Sequence, residues 1–171
     1  CNAEQIVLYP SSQSALAHLM QLLVKPGDSA ICEEPGYSVA REQFRSHGAD
    51  VRTIAVDDQG FNVKRMRDTV ESADWLYLTP SGQDPTGTIL SESRRIEVLN
   101  WAQARGAAII EDGWDSDFHY GGPVIPPLQA MDNQGCVIYM HTFWRLLFPL
   151  VSTAFVVIPE KLIPLFRNSK H

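Results

Sequence analysis

The feature that most constrains the fold is a regular alternation along the chain. Short runs rich in Val, Ile and Tyr alternate with longer segments of helical period. This pattern is typical of βα units, in which a helix carries the chain from one parallel strand to the next. We therefore predict an α/β protein with a largely parallel seven-stranded sheet. The predicted strands are Gln5–Tyr9, Ser29–Glu33, Asp50–Ala55, Trp75–Thr79, Ala107–Glu111, Cys136–His141 and Thr153–Ile158.

The helical segments are defined by apolar stripes and by the turn residues that follow them. The first is expected from Ser12 to Val24, because Ala15, Leu16 and Leu19 recur on one face and Pro26-Gly27 ends the pattern. The turns are expected at Pro35-Gly36, Asp57 to Gly60, Pro80 to Gly87 and Gly121 to Pro127. The other predicted helices are Val39–His47, Val63–Val70, Glu92–Arg105 and Glu160–Arg167.

Length and charge exclude several functions. A chain of 171 residues is long enough for one domain with a sizeable core. Its net charge of −6, with only 14 Lys and Arg, argues against a nucleic-acid-binding surface in this domain. No apolar run approaches the ~20 residues that span a bilayer, and the first residues show no basic region followed by an apolar stretch, so we expect neither export nor a membrane partner.

Cysteine and histidine usage points to a reducing compartment. The three cysteines form neither an even framework nor a CxxC pair, which favours neither disulfides nor zinc. The five histidines show no metal-ligand spacing, and we interpret them as surface or packing residues. We read the acidic pairs Glu33-Glu34 and Asp57-Asp58 as solvated loop charges. A cytoplasmic location is the expectation.

Candidate ligand-binding residues follow the strands, because open parallel sheets bind ligands at the carboxyl ends of their strands. Ser12 and Gln13 open the first helix, where backbone amides and the helix dipole favour a phosphate. The alternative is that Ser11 or Ser12 is only an N-cap. Tyr37 follows the second strand and could stack on a flat ring, or simply pack beside the Pro35-Gly36 turn.

Several motifs together resemble the large domain of fold-type-I, pyridoxal-phosphate-dependent aminotransferases. The resemblance is strongest to the aminotransferase-like effector domain of MocR/GabR-type transcription regulators. It implies a three-layer α/β/α fold with seven strands. The motifs are Ser12-Gln13, Pro35-Gly36-Tyr37, Asp84-Pro85-Thr86-Gly87, the run from Ile109 to Phe118, and the run from Val137 to Pro149.

The resemblance implies pyridoxal 5′-phosphate (PLP) as cofactor and assigns roles to particular positions. Asp112 would pair with the protonated pyridine nitrogen, which makes the ring an electron sink. Trp114 replaces a tyrosine near the phenolic oxygen. Asp84 replaces an asparagine that donates to that oxygen, so a carboxylate would face an atom that prefers a donor. A ligand-free turn at Asp84 and a strand-end carboxylate capping a loop at Asp112 are the alternatives.

The run from His141 to Arg145 departs from the family, which reads roughly Gly-Thr-Phe-Ser-Lys. Thr142 keeps the threonine, and we count it with the cofactor-binding positions. Arg145 takes the place of the lysine that forms the Schiff base. Trp144 replaces the small serine, and Ser152 replaces the arginine that clamps the phosphate. An arginine stays protonated and cannot form an imine, so transamination through Arg145 is not expected.

Three hypotheses follow. The first is a degenerate effector or dimerisation domain of a MocR/GabR-like regulator, a pseudoenzyme that binds PLP or a small amino acid without covalent chemistry. The second is a PLP-dependent aminotransferase acting on an amino acid, with a substituted Schiff-base position. The third is a structural domain without ligand. In each, residues 1–171 form a single aminotransferase-like large domain, which we expect to be a fragment of a longer chain and to form a homodimer.

Overall fold

Eight strands and seven α-helices build the protein in the computed structural model, which describes residues 1–118 and 124–169. The seven predicted strands are all present, with ends shifted by a residue or two. The strands are β1 (Ile6–Tyr9), β2 (Ser29–Glu34), β3 (Asp50–Asp57), β4 (Gly60–Phe61), β5 (Trp75–Leu78), β6 (Ala108–Asp112), β7 (Val137–Thr142) and β8 (Ala154–Val157).

All the strands belong to one mixed sheet in the order β1-β8-β7-β6-β5-β2-β3-β4. The five strands β3, β2, β5, β6 and β7 are mutually parallel. Antiparallel pairing joins β8 to both β7 and β1, and joins β4 to β3. The carboxyl ends of the five parallel strands therefore meet at one edge of the sheet.

Helices cover both faces of the sheet, as a three-layer fold requires. Apolar side chains of α1, α2 and α7 pack on one face, and those of α3, α4 and α5 pack on the other. Neighbouring strand residues alternate between the two cores, so Cys32 and Tyr77 face the first and Ile31 and Leu76 the second. The helices are α1 (Ser12–Leu23), α2 (Ser38–Ser46), α3 (Val63–Thr69), α4 (Glu92–Arg105), α5 (Leu128–Met131), α6 (Trp144–Leu147) and α7 (Ile163–Asn168).

Local chemistry explains where the main helices begin and end. The Ser11 hydroxyl accepts a hydrogen bond from the Ser14 amide and starts α1, whose buried stripe contains Leu16 and Leu19. Ser91 starts α4 in the same way, and Gly106, with φ of +70°, ends it in the left-handed conformation. These caps confirm the predicted position of both helices.

Three features differ from the prediction. The sheet has an eighth strand, because β3 continues to Asp57 and pairs with Gly60-Phe61 across a tight turn where only a loop was expected. The short helices α5 and α6 were not predicted, since four residues are too few to show a period. The sheet is also less parallel than expected near its β1 edge, because β8 runs antiparallel to both β1 and β7.

Part of the predicted turn from Gly121 to Pro127, together with His119 and His171, lies outside the described residues. Within residues 1–118 and 124–169, no helix has both the length and the apolar character needed to cross a membrane. Over the same ranges, no group of three or more His, Cys, Asp or Glu side chains is placed to hold a metal ion.

Candidate functional site

One cavity of about 170 Å³ lies where the parallel strands end. Its lining includes every residue that the sequence analysis singled out as a catalytic or cofactor-binding candidate. The structure thus brings together segments that lie up to 133 positions apart, counted from Ser12 to Arg145. The eight are Ser12, Gln13, Tyr37, Asp84, Asp112, Trp114, Thr142 and Arg145.

The amino terminus of α1 forms one end of the cavity. Ser11 is the N-cap, so Ser12 and Gln13 occupy the first turn, whose amide groups have no acceptor within the helix. The Ser152 hydroxyl donates a hydrogen bond to the Pro10 carbonyl oxygen at 2.9 Å. Ser152, the position to which the resemblance assigns the phosphate-clamping arginine, therefore lies beside this turn, and its hydroxyl hydrogen is already donated to Pro10.

Asp112 is the buried acid of the cavity. The Tyr77 hydroxyl donates to its Oδ2 at 2.5 Å, and the Trp114 amide donates to its Oδ1 at 3.0 Å. Burial raises the pKa of Asp112 to about 6, although both hydrogen bonds oppose that rise. Asp112 is therefore held in one orientation at the end of β6. Tyr77 was not predicted as a site residue, because its only signal in the sequence is a hydroxyl within the apolar strand β5.

A second buried carboxylate, Glu33, lies near Asp112. Its Oε2 accepts hydrogen bonds from the Thr79 amide at 3.1 Å and the Thr79 hydroxyl at 2.5 Å. Burial raises the pKa of Glu33 to about 7, and the charge of Asp112 contributes to the rise. The interpretation of Glu33 as a solvated loop charge is wrong, because its side chain is buried and bound to Thr79. Its neighbour Glu34 is exposed, as expected.

Aromatic rings form much of the cavity wall. Tyr37 stacks against Tyr77 with a ring separation of 6.4 Å. The Trp114 indole N–H donates to the Gly82 carbonyl oxygen at 2.7 Å, which fixes that ring. Trp144 is also part of the lining, and about half of its surface is exposed. Asp84 also lines the cavity, and burial raises the pKa of its carboxyl group.

Arg145 is held at the cavity by charge and by aromatic stacking. Its Nη1 lies 3.0 Å from Asp115 Oδ1, an ion pair in which no N–H is aligned for a hydrogen bond. Its guanidinium carbon lies 4.6 Å from the Trp114 ring centre and 5.1 Å from that of Phe118. The cation is therefore engaged by its neighbours rather than free to act on a ligand.

Tyr139 and His141 alternate along β7 with Met140 and Thr142, which line the cavity, and so lie on the opposite face of the sheet. The buried His141 ring lies 3.2 Å from Asp117 Oδ2 through Nε2, and 3.0 Å from the Gly113 carbonyl oxygen through Nδ1. Gly113 lies directly against the Tyr139 ring. A methyl group added there would overlap the Tyr139 hydroxyl and lie 2.7 Å from the ring carbon that bears it. Gly113 and Tyr139 therefore fit each other.

Because Gly113 and Tyr139 fit each other, the effect of a substitution at one should depend on the residue at the other. Gly113→Ala should lower the free energy of unfolding by about 1–3 kcal/mol, because the methyl group overpacks a filled site. Shortening the opposing ring with Tyr139→Phe should recover part of that loss in the double variant. Urea denaturation of the two single variants and the double variant measures the coupling, and strictly additive losses would contradict it.

The buried acids predict a pH dependence of stability. Burial raises the pKa values of Glu33, Glu111 and Asp112 in the folded state. Between about pH 4.5 and pH 7 the folded protein therefore binds more protons than the unfolded chain. Stability should then be highest near pH 4.5–5 and fall as the pH rises through 7. Glu33→Gln keeps an acceptor for Thr79, so we expect it to remove part of this slope and to stabilise the protein by about 3 kcal/mol at pH 8.

Denaturation midpoints between pH 4.5 and pH 8 measure this effect. The exposed Glu34→Gln variant is the matched control and should follow the parent. Parallel curves for the parent and Glu33→Gln would contradict the assignment of a buried, protonated Glu33.

The geometry defines an α/β protein with a ligand cavity at the carboxyl edge of its sheet. The chain belongs to the aminotransferase class I and II family, whose sequence model matches residues 1–143. The match ends two positions before Arg145. Family membership implies PLP as the cofactor of the ancestral site.

Both regulators and enzymes are among the similar proteins. The chain is 34% identical over 163 residues to "Uncharacterized HTH-type transcriptional regulator YdeL" of Bacillus subtilis, covering 95% of this chain and 35% of that protein. It is 34% identical over 168 residues to "Probable rhizopine catabolism regulatory protein MocR" of Rhizobium meliloti, covering 98% and 34%. The chain thus spans about a third of the length of these relatives.

Among solved structures, a kynurenine aminotransferase from Pyrococcus horikoshii in complex with PMP superposes with a TM-score of 0.86. It is 27% identical, and the match covers 96% of this chain and 43% of that one. The predicted fold of the PLP-dependent aminotransferase large domain is therefore correct, with the changes in strand count and direction described above.

The cavity fits part of PLP and not the rest. Asp112 and the aromatic walls suit a protonated pyridine ring. With the residues aligned as the resemblance implies, the aldehyde would meet Arg145, which forms no imine. In the same alignment, the phosphate would meet the amides of α1 with Ser152 in place of the family's arginine. In this alignment, Arg145 and Ser152 are therefore unsuited to two groups of PLP, the aldehyde and the phosphate.

Proposed function

We propose that this chain is a degenerate effector and dimerisation domain of a MocR/GabR-like transcription regulator, which binds a small ligand reversibly and does not catalyse transamination. The proposal rests on Arg145, which the resemblance places at the Schiff-base position and which is paired with Asp115 and stacked on Trp114. The regulators found among the most similar proteins support the same reading.

The absence of transamination follows from the chemistry of the side chain. A Schiff-base residue must lose a proton, attack a carbonyl and later shuttle the substrate proton. The guanidinium of an arginine stays protonated in proteins, so Arg145 cannot supply the neutral nitrogen that this chemistry needs. With PLP, an amino acid and 2-oxoglutarate, we expect turnover no faster than with free PLP. Protein-dependent turnover would favour the aminotransferase alternative.

The regulator assignment is tested by the coding sequence upstream of Cys1. A basic winged-helix segment there would support it, because this chain carries a net charge of −6 and no DNA-binding face is expected on it. An aminotransferase-type N-terminal arm would contradict it. We place the protein in the cytoplasm, where such a regulator works.

The proposed dimerisation uses an apolar surface that we call the α6 patch, formed by residues 144–150. Its side chains are exposed to an extent unusual for their size, with Phe148 at 62% and Leu150 at 87%. Contiguous exposed apolar side chains commonly mark an interface with another protein. The other members of the patch with exposed apolar side chains are Trp144, Leu146 and Leu147.

The α6 patch predicts the oligomeric state of a variant. Phe148→Ser combined with Leu150→Ser should convert a dimer into a monomer, because the apolar contact that offsets the entropy of association is removed. Sedimentation velocity measures this change. Ile96→Ser, which removes an exposed apolar side chain from α4, is the control and should leave the dimer intact. An unchanged sedimentation coefficient in the double variant would contradict the interface.

A further inference from the structure

The charges that line the cavity favour a ligand unlike the cofactor of the family. Among the described lining residues, the charged side chains are Asp84, Asp112 and Arg145. The charge of Arg145 is offset by Asp115, which lies 3.0 Å away. The two remaining carboxylates give the cavity an excess of negative charge, which opposes a phosphate dianion and attracts a cation.

The surroundings of Ser152, beside the first turn of α1, also favour a ligand without a phosphate. The hydroxyl of Ser152 donates to the Pro10 carbonyl oxygen and so offers no hydrogen to a ligand in that arrangement. The serine carries no charge, in contrast to the arginine of the family. Without a cation, the desolvation of a doubly charged phosphate here is poorly compensated.

The walls of the cavity suit a flat cation. Tyr37 presents a fixed aromatic ring that is stacked on Tyr77. The Trp114 ring is held by its bond to Gly82 and carries Arg145 over one face, which leaves the other face for a ligand. Aromatic faces attract cations and stack on heteroaromatic rings. Asp112, oriented by Tyr77, is suited to a protonated ring nitrogen, and Asp84 to a second positive group.

We propose that this cavity binds, reversibly, a planar nitrogen heterocycle that carries positive charge and no phosphate, the chemistry of an aminomethylpyridine such as pyridoxamine. The inference rests on the proposed function, since it assumes a site that binds without covalent attachment. Asp84 and Asp112 are its specificity-determining residues, and Ser152 is the position that excludes the phosphorylated form.

The experiment compares pyridoxamine with pyridoxamine 5′-phosphate by isothermal titration calorimetry on the purified protein. The two probes differ only in the phosphate, and neither carries an aldehyde, so binding does not depend on covalent chemistry. We expect pyridoxamine to bind at least tenfold more tightly. Equal affinity, tighter binding of the phosphorylated form, or no binding of either probe would overturn the proposal.

Variants assign the preference to particular residues. Asp84→Asn should weaken pyridoxamine binding about tenfold, because one ion pair is lost. The phosphorylated probe loses the same ion pair but also a carboxylate that repels its phosphate, so its affinity should fall less. Ser152→Arg should reverse the preference between the probes. Asp58→Asn removes an exposed carboxylate outside the cavity and should match the parent. An Asp84→Asn variant that binds pyridoxamine as the parent does would contradict the role of Asp84.

These outcomes are separate from those that test the proposed function. Protein-dependent turnover with PLP would contradict the loss of catalysis, whatever the affinity for pyridoxamine. A preference for the phosphorylated amine in a protein without turnover would contradict only the ligand proposed here.

Discussion

Arg145→Lys combined with Ser152→Arg is expected to give a protein that forms a borohydride-reducible covalent adduct with PLP at close to one per chain. Lysine supplies an amine that can become neutral and nucleophilic, and the arginine supplies a charged, bidentate partner for the phosphate. The residues suited to the ring, Asp112 and Tyr37, are already in place. Visible absorption followed by mass spectrometry of the reduced protein measures the gain.

The single variants separate the two lost functions. Arg145→Lys alone should form the adduct only at higher PLP concentration, because the phosphate still lacks its cation. Ser152→Arg alone should form none and is the matched control. If a folded double variant forms no adduct, the cavity itself has closed, with Trp144 as the bulky residue next to the lysine position.

Arg95→Leu is expected to lower the free energy of unfolding by about 3–5 kcal/mol, because it leaves buried polar groups without partners. The Arg95 side chain is fully buried, and it donates to the carbonyl oxygens of Pro80 at 2.7 Å, Leu90 at 3.0 Å and Pro126 at 3.0 Å. Its Nη1 also lies 3.9 Å from Glu111 Oε1. These contacts tie α4 to the loop after β5 and to the segment before α5.

Chemical denaturation measures this loss. The same substitution at an exposed arginine, Arg67→Leu, removes an ion pair with Glu97 and should cost about 0–1 kcal/mol. A loss below 1 kcal/mol for Arg95→Leu would contradict its role as the link between these segments.

The position of the cavity could be predicted from the sequence because it depends on topology. A strand in a parallel sheet ends at the same edge as its neighbours, so motifs that follow strands converge there. Ser12, Asp112 and Arg145 lie on one cavity for this reason. Their roles toward a ligand remain predictions.

Contacts between distant segments could not be predicted in this way. The pairing of Tyr77 with Asp112, the burial of Glu33 against Thr79, and the ion pair of Arg145 with Asp115 depend on side-chain direction. A sequence pattern predicts which face of a strand a side chain lies on, but not which atoms of distant segments that side chain contacts. The hairpin strand β4 was missed because two residues carry no period.

The central claim is that this aminotransferase fold has lost covalent attachment to PLP while keeping the cavity. The most direct test is mass spectrometry of the unmodified protein after incubation with equimolar PLP and reduction with borohydride. The account predicts an unchanged mass and no protein-induced visible absorption band. A stoichiometric adduct on any one of the four lysines, Lys25, Lys64, Lys161 or Lys170, would contradict it, because another residue would then have taken over the chemistry of the lost lysine.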